Sequence, residues 1–133
     1  MKIKIISFFT QNYSGEAATL QTSLASFGLD FLVEKIGCTS WHDAVAYKPE
    51  FIAIWIQRLA EDGNYDGILW TDADSEVMRD PDFEELKGCD AAWHRFQRTP
   101  KHGEEFLTGT IYFAINELTL AFVHKWAEVT QAQ

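Results

Sequence analysis

Two aspartates one residue apart, Asp72 and Asp74, carry the strongest chemical signal in this chain. They end an apolar run abruptly, in the stretch GILWTDAD from Gly67 to Asp74. Carboxylates this close repel each other unless a positive group stands beside them. A divalent cation that prefers hard oxygen ligands, Mn2+ or Mg2+, would meet that need, with Asp72 and Asp74 as its ligands. Such an ion also bridges to diphosphate oxygens and stabilises a departing group. The pattern predicts metal-assisted chemistry on a phosphate-bearing substrate, with the two aspartates as catalytic residues.

The pair needs a scaffold, and the surrounding residues describe one. Ile68, Leu69 and Trp70 form a continuous apolar segment, the pattern of a strand buried on both faces of a parallel sheet. Open α/β sheets place ligands just past the carboxyl ends of such strands. Lys2 to Phe9 reads as a first strand running into a polar loop at Thr10. Ser14 is placed to cap a helix reaching about Phe27, with Ala17, Leu20, Leu24 and Phe27 on one face and Gly28 closing it. Asp30 to Ile36 alternates as a second strand, followed by a polar loop to Asp43. Proline suits a first helical turn, so a short turn is expected before Pro49 and a main helix from Pro49 to about Ala60.

Past the turn cluster EDGNYDG and the third strand, Asp80-Pro81-Asp82 opens a short helix and Asp90 to His94 reads as a strand. The stretch from Gln97 to Glu105 is polar and reads as a loop, and Gly109 to Ile115 as a last strand. Asn116 caps a final helix with Leu118, Phe122, Trp126 and Val129 on its apolar face. This alternation predicts an α/β sandwich, one domain over residues 1–133.

Bulk properties exclude several classes. With 47% apolar and 14% aromatic residues the chain can bury a core, which rules out disorder. Its net charge of −9 repels nucleic-acid polymers, although one metal ion can offset the charge of a single nucleotide. No apolar run approaches the ~20 residues of a membrane span. The apolar part of the opening MKIKIISFFT is too short for a signal peptide and suits a strand. Cys38 and Cys89 offer neither a zinc spacing nor a disulfide framework, so they read as small buried residues of a reduced, cytoplasmic protein.

The remaining candidates are few. His42, His102 and His124 share no ligand spacing and read as surface residues. His94, beside Arg95, reads as a structural histidine, with metal or phosphate contact as the alternative. Trp41, Trp55, Trp70 and Trp126 read as core, although Trp41 follows a polar loop and could stack on a ring.

The order FFT with Tyr13 nearby, LQTSLASFGLDF, YKPEFI, ILWTDADSEVMRDP, LTGTIYF and a helix ending in HKW resembles the GT-A nucleotide-sugar glycosyltransferases with a DxD motif. The resemblance runs from about Lys2 to Trp126. It implies a Rossmann-like GT-A sandwich with a mostly parallel sheet flanked by helices, and sugar transfer from a UDP- or GDP-sugar to an unassigned acceptor. Asp72 then matches the first DxD acid, facing ribose and metal, and Asp74 the second, binding the metal directly. Thr10 and Tyr13 match the positions that meet base and ribose. Lys48 matches a basic residue that reaches a donor phosphate. Thr108 and Gly109 match a small-residue turn flanking the sugar pocket, where small side chains let a ligand approach the backbone.

Members of that superfamily are generally longer, with a C-terminal part that builds the acceptor site, so this chain reads as a short form. A second copy completing the sheet or cleft is one state open to it. An inverting route needs a carboxylate base, for which Glu104 and Glu105 are candidates. The alternative from another class is a binding module that holds the nucleotide sugar without transferring it. A phosphatase of haloacid-dehalogenase type fits less well, because Glu76 stands where that motif has Thr or Val. A calcium loop fails at Val77 and Phe83.

Overall fold

The computed structural model describes residues 1–38, 40–99 and 103–132, with the side chains of 96–99 and 104–106 outside that description. The expectations for His102 and for the carboxylates of Glu104 and Glu105 therefore lie outside the described residues. Five strands form one sheet in the order β2-β1-β3-β5-β4. They are β1 (Ile3–Phe9), β2 (Phe31–Lys35), β3 (Gly67–Thr71), β4 (Ala91–Thr99) and β5 (Gly103–Ala114). β1 pairs in parallel with both β2 and β3, while β5 runs antiparallel to β3 and β4. The expected α/β sandwich with a mostly parallel sheet is what the chain forms.

The strands' period of two sorts the core into layers. Ile6 and Phe8 of β1 and Ile68 and Trp70 of β3 face Phe51, Ile52 and Ile56 of α2 (Trp41–Asp62) and Val123 of α3 (Glu117–Gln131). Ile5 points the other way, onto Leu20 and Leu24 of α1 (Ser14–Ser26). β1 and β3 are thus covered on both sides, which explains the apolar run of β3 and the largely apolar residues of β1. From β1 the chain goes out to β2 on one side and comes back to β3 on the other. The carboxyl ends of β1 and β3 therefore flank a topological switch point, the crevice where such sheets bind ligands. At the opposite end of β3, a Cβ on Gly67 would clash with the buried Tyr112 ring, so this strand must begin with glycine.

Several expectations need correction. Pro49 does not start a helix: α2 is one helix of 22 residues that runs through it. Its N-cap is Ser40, whose hydroxyl accepts from the Asp43 amide at 3.1 Å, and Gly63 ends it in the left-handed conformation. Lys48 and Pro49 are both buried there, so tertiary packing outweighs the local cost of an interior proline. Ser14 is not an N-cap either; its hydroxyl donates to the Gln11 carbonyl, and Tyr13 precedes the helix.

Asn116 does cap α3, with a capping box to Thr119. The buried stripe of α3 is however Thr119, Val123 and Ala127, while Leu118, Phe122 and Val129 are exposed. Small residues on the inner face let the helix lie close, and Phe122 reaches back only to stand beside the Phe113 ring. The polar stretch read as a loop is largely strand, since β4 continues to Thr99 and β5 starts at Gly103. A hairpin at a sheet edge tolerates polarity that a central strand would not. The short helix after Pro81 is a 3-10 turn, Phe83–Leu86, capped by Asp82. Cys38 is half-buried and Cys89 exposed, both unpaired, which corrects their placement in the core. Among the described residues no helix is long and apolar enough to cross a membrane.

Candidate active site

Trp70 and Asp72 are two residues apart on an extended segment, so both side chains face α2. One turn of α2 brings Lys48 to meet them. Lys48 is only 8% exposed, and its ammonium donates to Asp72 Oδ1 at 3.1 Å and to the Thr108 carbonyl at 2.6 Å. It also stands 5.0 Å from the centre of the Trp70 ring, within range of a cation-π contact. The Trp70 indole N–H donates to the same Asp72 oxygen at 2.8 Å. Burial lowers the lysine pKa, and the Asp72 and Asp74 carboxylates pull against that shift.

Asp72 Oδ1 therefore carries two donors, while Oδ2 turns toward Gly109, where an added Cβ would lie 3.4 Å away. The Asp72 amide donates to the Gly109 carbonyl at 2.9 Å, fixing the end of β3 against β5. Its carbonyl accepts from the Ser75 amide at 3.0 Å, a turn that leaves Asp74 exposed. The following loop is pinned where the Val77 amide donates to the Ser23 hydroxyl of α1 at 2.9 Å.

A β-bulge supplies the two carbonyls. On β4, Trp93 pairs with Ile111 and the next residue, His94, pairs with Leu107. Thr108, Gly109 and Thr110 thus fall outside the β4 register, and the backbone there is re-aimed toward Lys48 and Asp72. The small-residue turn implied by the resemblance is in fact this bulge inside β5.

A cleft of about 660 Å³ opens over these groups. Thr10, Tyr13, Lys48, Asp72, Asp74 and Thr108 line it together. Gly109 is absent from the lining and acts through its contact with Asp72. Trp41 stands on the rim, 74% exposed, which corrects its placement in the core. The far wall comes from Trp126 and Thr130 of α3, whose part in the site the sequence reading missed. It also missed the Trp70 hydrogen bond, although the spacing of two from Asp72 was the available signal. His94 is exposed on β4 and outside the lining, so it is not the structural histidine expected. His42 and His124 are exposed, as expected.

Among the described residues, no three His, Cys, Asp or Glu side chains gather as a metal cage. Mg2+ does not need one: it is commonly held by one or two carboxylates plus substrate phosphates. Asp74, exposed, and Asp72, through Oδ2, are the carboxylates in the cleft lining that could take part in that kind of site.

No protein family matches this sequence, and no curated protein matches it. Solved structures do match its fold. A glycosyltransferase involved in the glycosylation of the major capsid of PBCV-1 superposes with a TM-score of 0.69 at 18% identity, over 97% of this chain and 66% of that one. The chain shares its fold with that enzyme. The glycosyltransferase GlyE of Streptococcus pneumoniae TIGR4, in its apo form, matches with a TM-score of 0.55 at 15% identity, over 100% of this chain and 39% of that one. A197 from STIV gives 0.57 at 12% identity, over 91% of this chain and 68% of that one. The chain thus spans about two thirds or less of each neighbour, and at these identities the likeness concerns the fold.

Proposed function

We propose that this chain is a metal-dependent glycosyltransferase that moves a sugar from a nucleoside-diphosphate donor, a UDP- or GDP-sugar, to an acceptor. One observation carries the reading: Asp72 and Asp74 stand at the carboxyl end of β3, inside the cleft at the switch point of a glycosyltransferase-like sheet. Asp74 and Asp72 would hold Mn2+ or Mg2+. When bound, such an ion offsets charge developing on the diphosphate as it leaves.

The chain's own residues supply the rest. Thr10 and Tyr13, past the end of β1, line the cleft and would meet base and ribose. Lys48 keeps Asp72 and the bulge in fixed relation, so the groups facing the donor are preorganised. Thr108 would flank the sugar in the cleft, and the missing side chain of Gly109 leaves room for Asp72 Oδ2 beside β5. A reducing, cytoplasmic setting belongs to the same reading and suits the unpaired Cys38 and Cys89.

The test is a thermal-shift screen of UDP and GDP with and without Mn2+, followed by incubation with UDP- and GDP-sugars. A melting point raised only when metal and nucleotide are both present supports the site. Release of free nucleoside diphosphate then supports transfer chemistry. Binding with no release would assign a nucleotide-sugar-binding module, and no binding at all would overturn the reading.

A further inference from the structure

Of the two aspartates in the cleft, Asp72 is the one already engaged. Its Oδ1 accepts from the Lys48 ammonium and from the Trp70 indole, which occupies that oxygen and offsets the carboxylate's charge. Lys48 cannot easily swing away. It is buried, its second bond goes to the Thr108 carbonyl, and the Trp70 ring lies against it. A dication approaching Oδ2 would meet a fixed ammonium on the other side of the same carboxylate. Asp74 is left as the exposed acid in the cleft. One exposed carboxylate is a poor site for a hard cation that takes about six oxygens, whereas a diphosphate brings several charged oxygens of its own.

Building on the proposed function, we infer that Lys48 acts as a built-in counter-ion that reserves Asp72, so that the divalent cation enters only together with a nucleoside diphosphate. Metal and nucleotide then bind as one unit, each raising the affinity for the other by the same factor. Lys48 is a positioning residue here, acting through Asp72.

The test titrates Mn2+ into the protein and follows free Mn2+ by its six-line electron paramagnetic resonance spectrum, alone and with UDP or GDP. Protein-free Mn2+ and nucleotide mixtures serve as the baseline. Wild type is expected to leave Mn2+ free without nucleotide and to take it up at least a hundredfold more tightly with it. Lys48→Met and Lys48→Leu each take the ammonium off Oδ1 and leave it only the neutral Trp70 indole donor, so either variant that retains a cooperative melt should bind Mn2+ without nucleotide at least tenfold more tightly than wild type. Equal Mn2+ affinity of wild type with and without a nucleotide that does bind the protein would overturn the inference. Folded Lys48 variants showing no such gain would do the same. If no nucleotide binds any form, the proposed function fails, while the nucleotide-free comparison of wild type and Lys48 variants still decides the role of Lys48.

Discussion

Two lysine–aspartate pairs brace opposite ends of the same sheet, and they differ in what they leave over. At the amino end, the Lys4 ammonium donates to Asp30 Oδ1 at 2.8 Å and the Tyr65 hydroxyl donates to Oδ2. Lys2 and Lys4 also lie over the Tyr65 ring, at 4.6 and 5.9 Å from its centre. Both carboxylate oxygens are used there, and the cluster closes on itself. Burial raises the Asp30 pKa, but the hydrogen bonds from Lys4 and Tyr65 and the two lysine charges outweigh it, leaving the carboxyl below its ordinary value. The hydrogen bond to Asp30 pushes Tyr65 up to about 12. At the carboxyl end both donors crowd one oxygen of Asp72, and the other oxygen faces the bulge beside a second, exposed acid. A saturated pair only holds strands together, whereas a half-used one beside a cleft has capacity left for a ligand.

That contrast can be broken by substitution. The largest expected effect is at the cleft: Asp74→Asn should weaken Mn2+-dependent UDP or GDP binding by at least about a hundredfold, as isothermal titration would show, since it removes a charged metal ligand. Asp30→Asn should leave that affinity unchanged. A comparable loss in both variants would mean that the two pairs do not differ in kind.

Stability should separate the two lysines next. Lys48→Met leaves a partly buried carboxylate with one donor fewer, at a cost of about 1–2 kcal/mol in urea melts; the 43% exposure of the Asp72 side chain keeps this below the figure for a fully buried pair. Lys4→Met removes a lysine more exposed than Lys48, and the Tyr65 hydroxyl still holds Asp30, so it should cost about 0.5 kcal/mol.

A smaller effect is visible through pH. The folded-state pKa of Tyr65 is raised, so its contribution is fully present below pH 10, the ordinary tyrosine value, and is lost as pH rises toward about 12. The stability difference between wild type and Tyr65→Phe should therefore be constant from pH 7 to 9 and shrink across that window.

The smallest change belongs to the strand between the two ends. Ser7 Oγ is fully buried in β1 with no partner among the described residues. Ser7→Ala should leave the melting point unchanged or raise stability by up to about 1 kcal/mol.

The sheet was legible because its inner strands are covered on both sides, and no other environment asks for runs such as IKIISFF and GILWT. The acid pair was legible for a related reason, since a buried strand that ends in carboxylates must present them at its carboxyl end. Features set by tertiary contact were harder to read. Pro49 looked like a boundary because local cost is all a sequence displays, while the packing that carries α2 through it comes from β1, β3 and α3. Exposed Phe122 and Leu118 drew the apolar face of α3 to the wrong side, because size was taken as a sign of burial. The bulge at 108–110 left only Gly109 as a local mark, as its cause is a register shift against a strand some fifteen residues earlier. The pairing of Lys48 with Asp72 spans 24 positions and has no periodic signature.

The bond from Lys48 to the Thr108 carbonyl spans 60 positions, and the Asp72 amide leans on Gly109. A fragment cut before β5 would keep every letter of the aspartate motif and lose both carbonyls that hold it in place. Such a truncation would carry the signature and forfeit the grip, so the proposed nucleotide capture would report on completed assembly of the whole carboxyl edge.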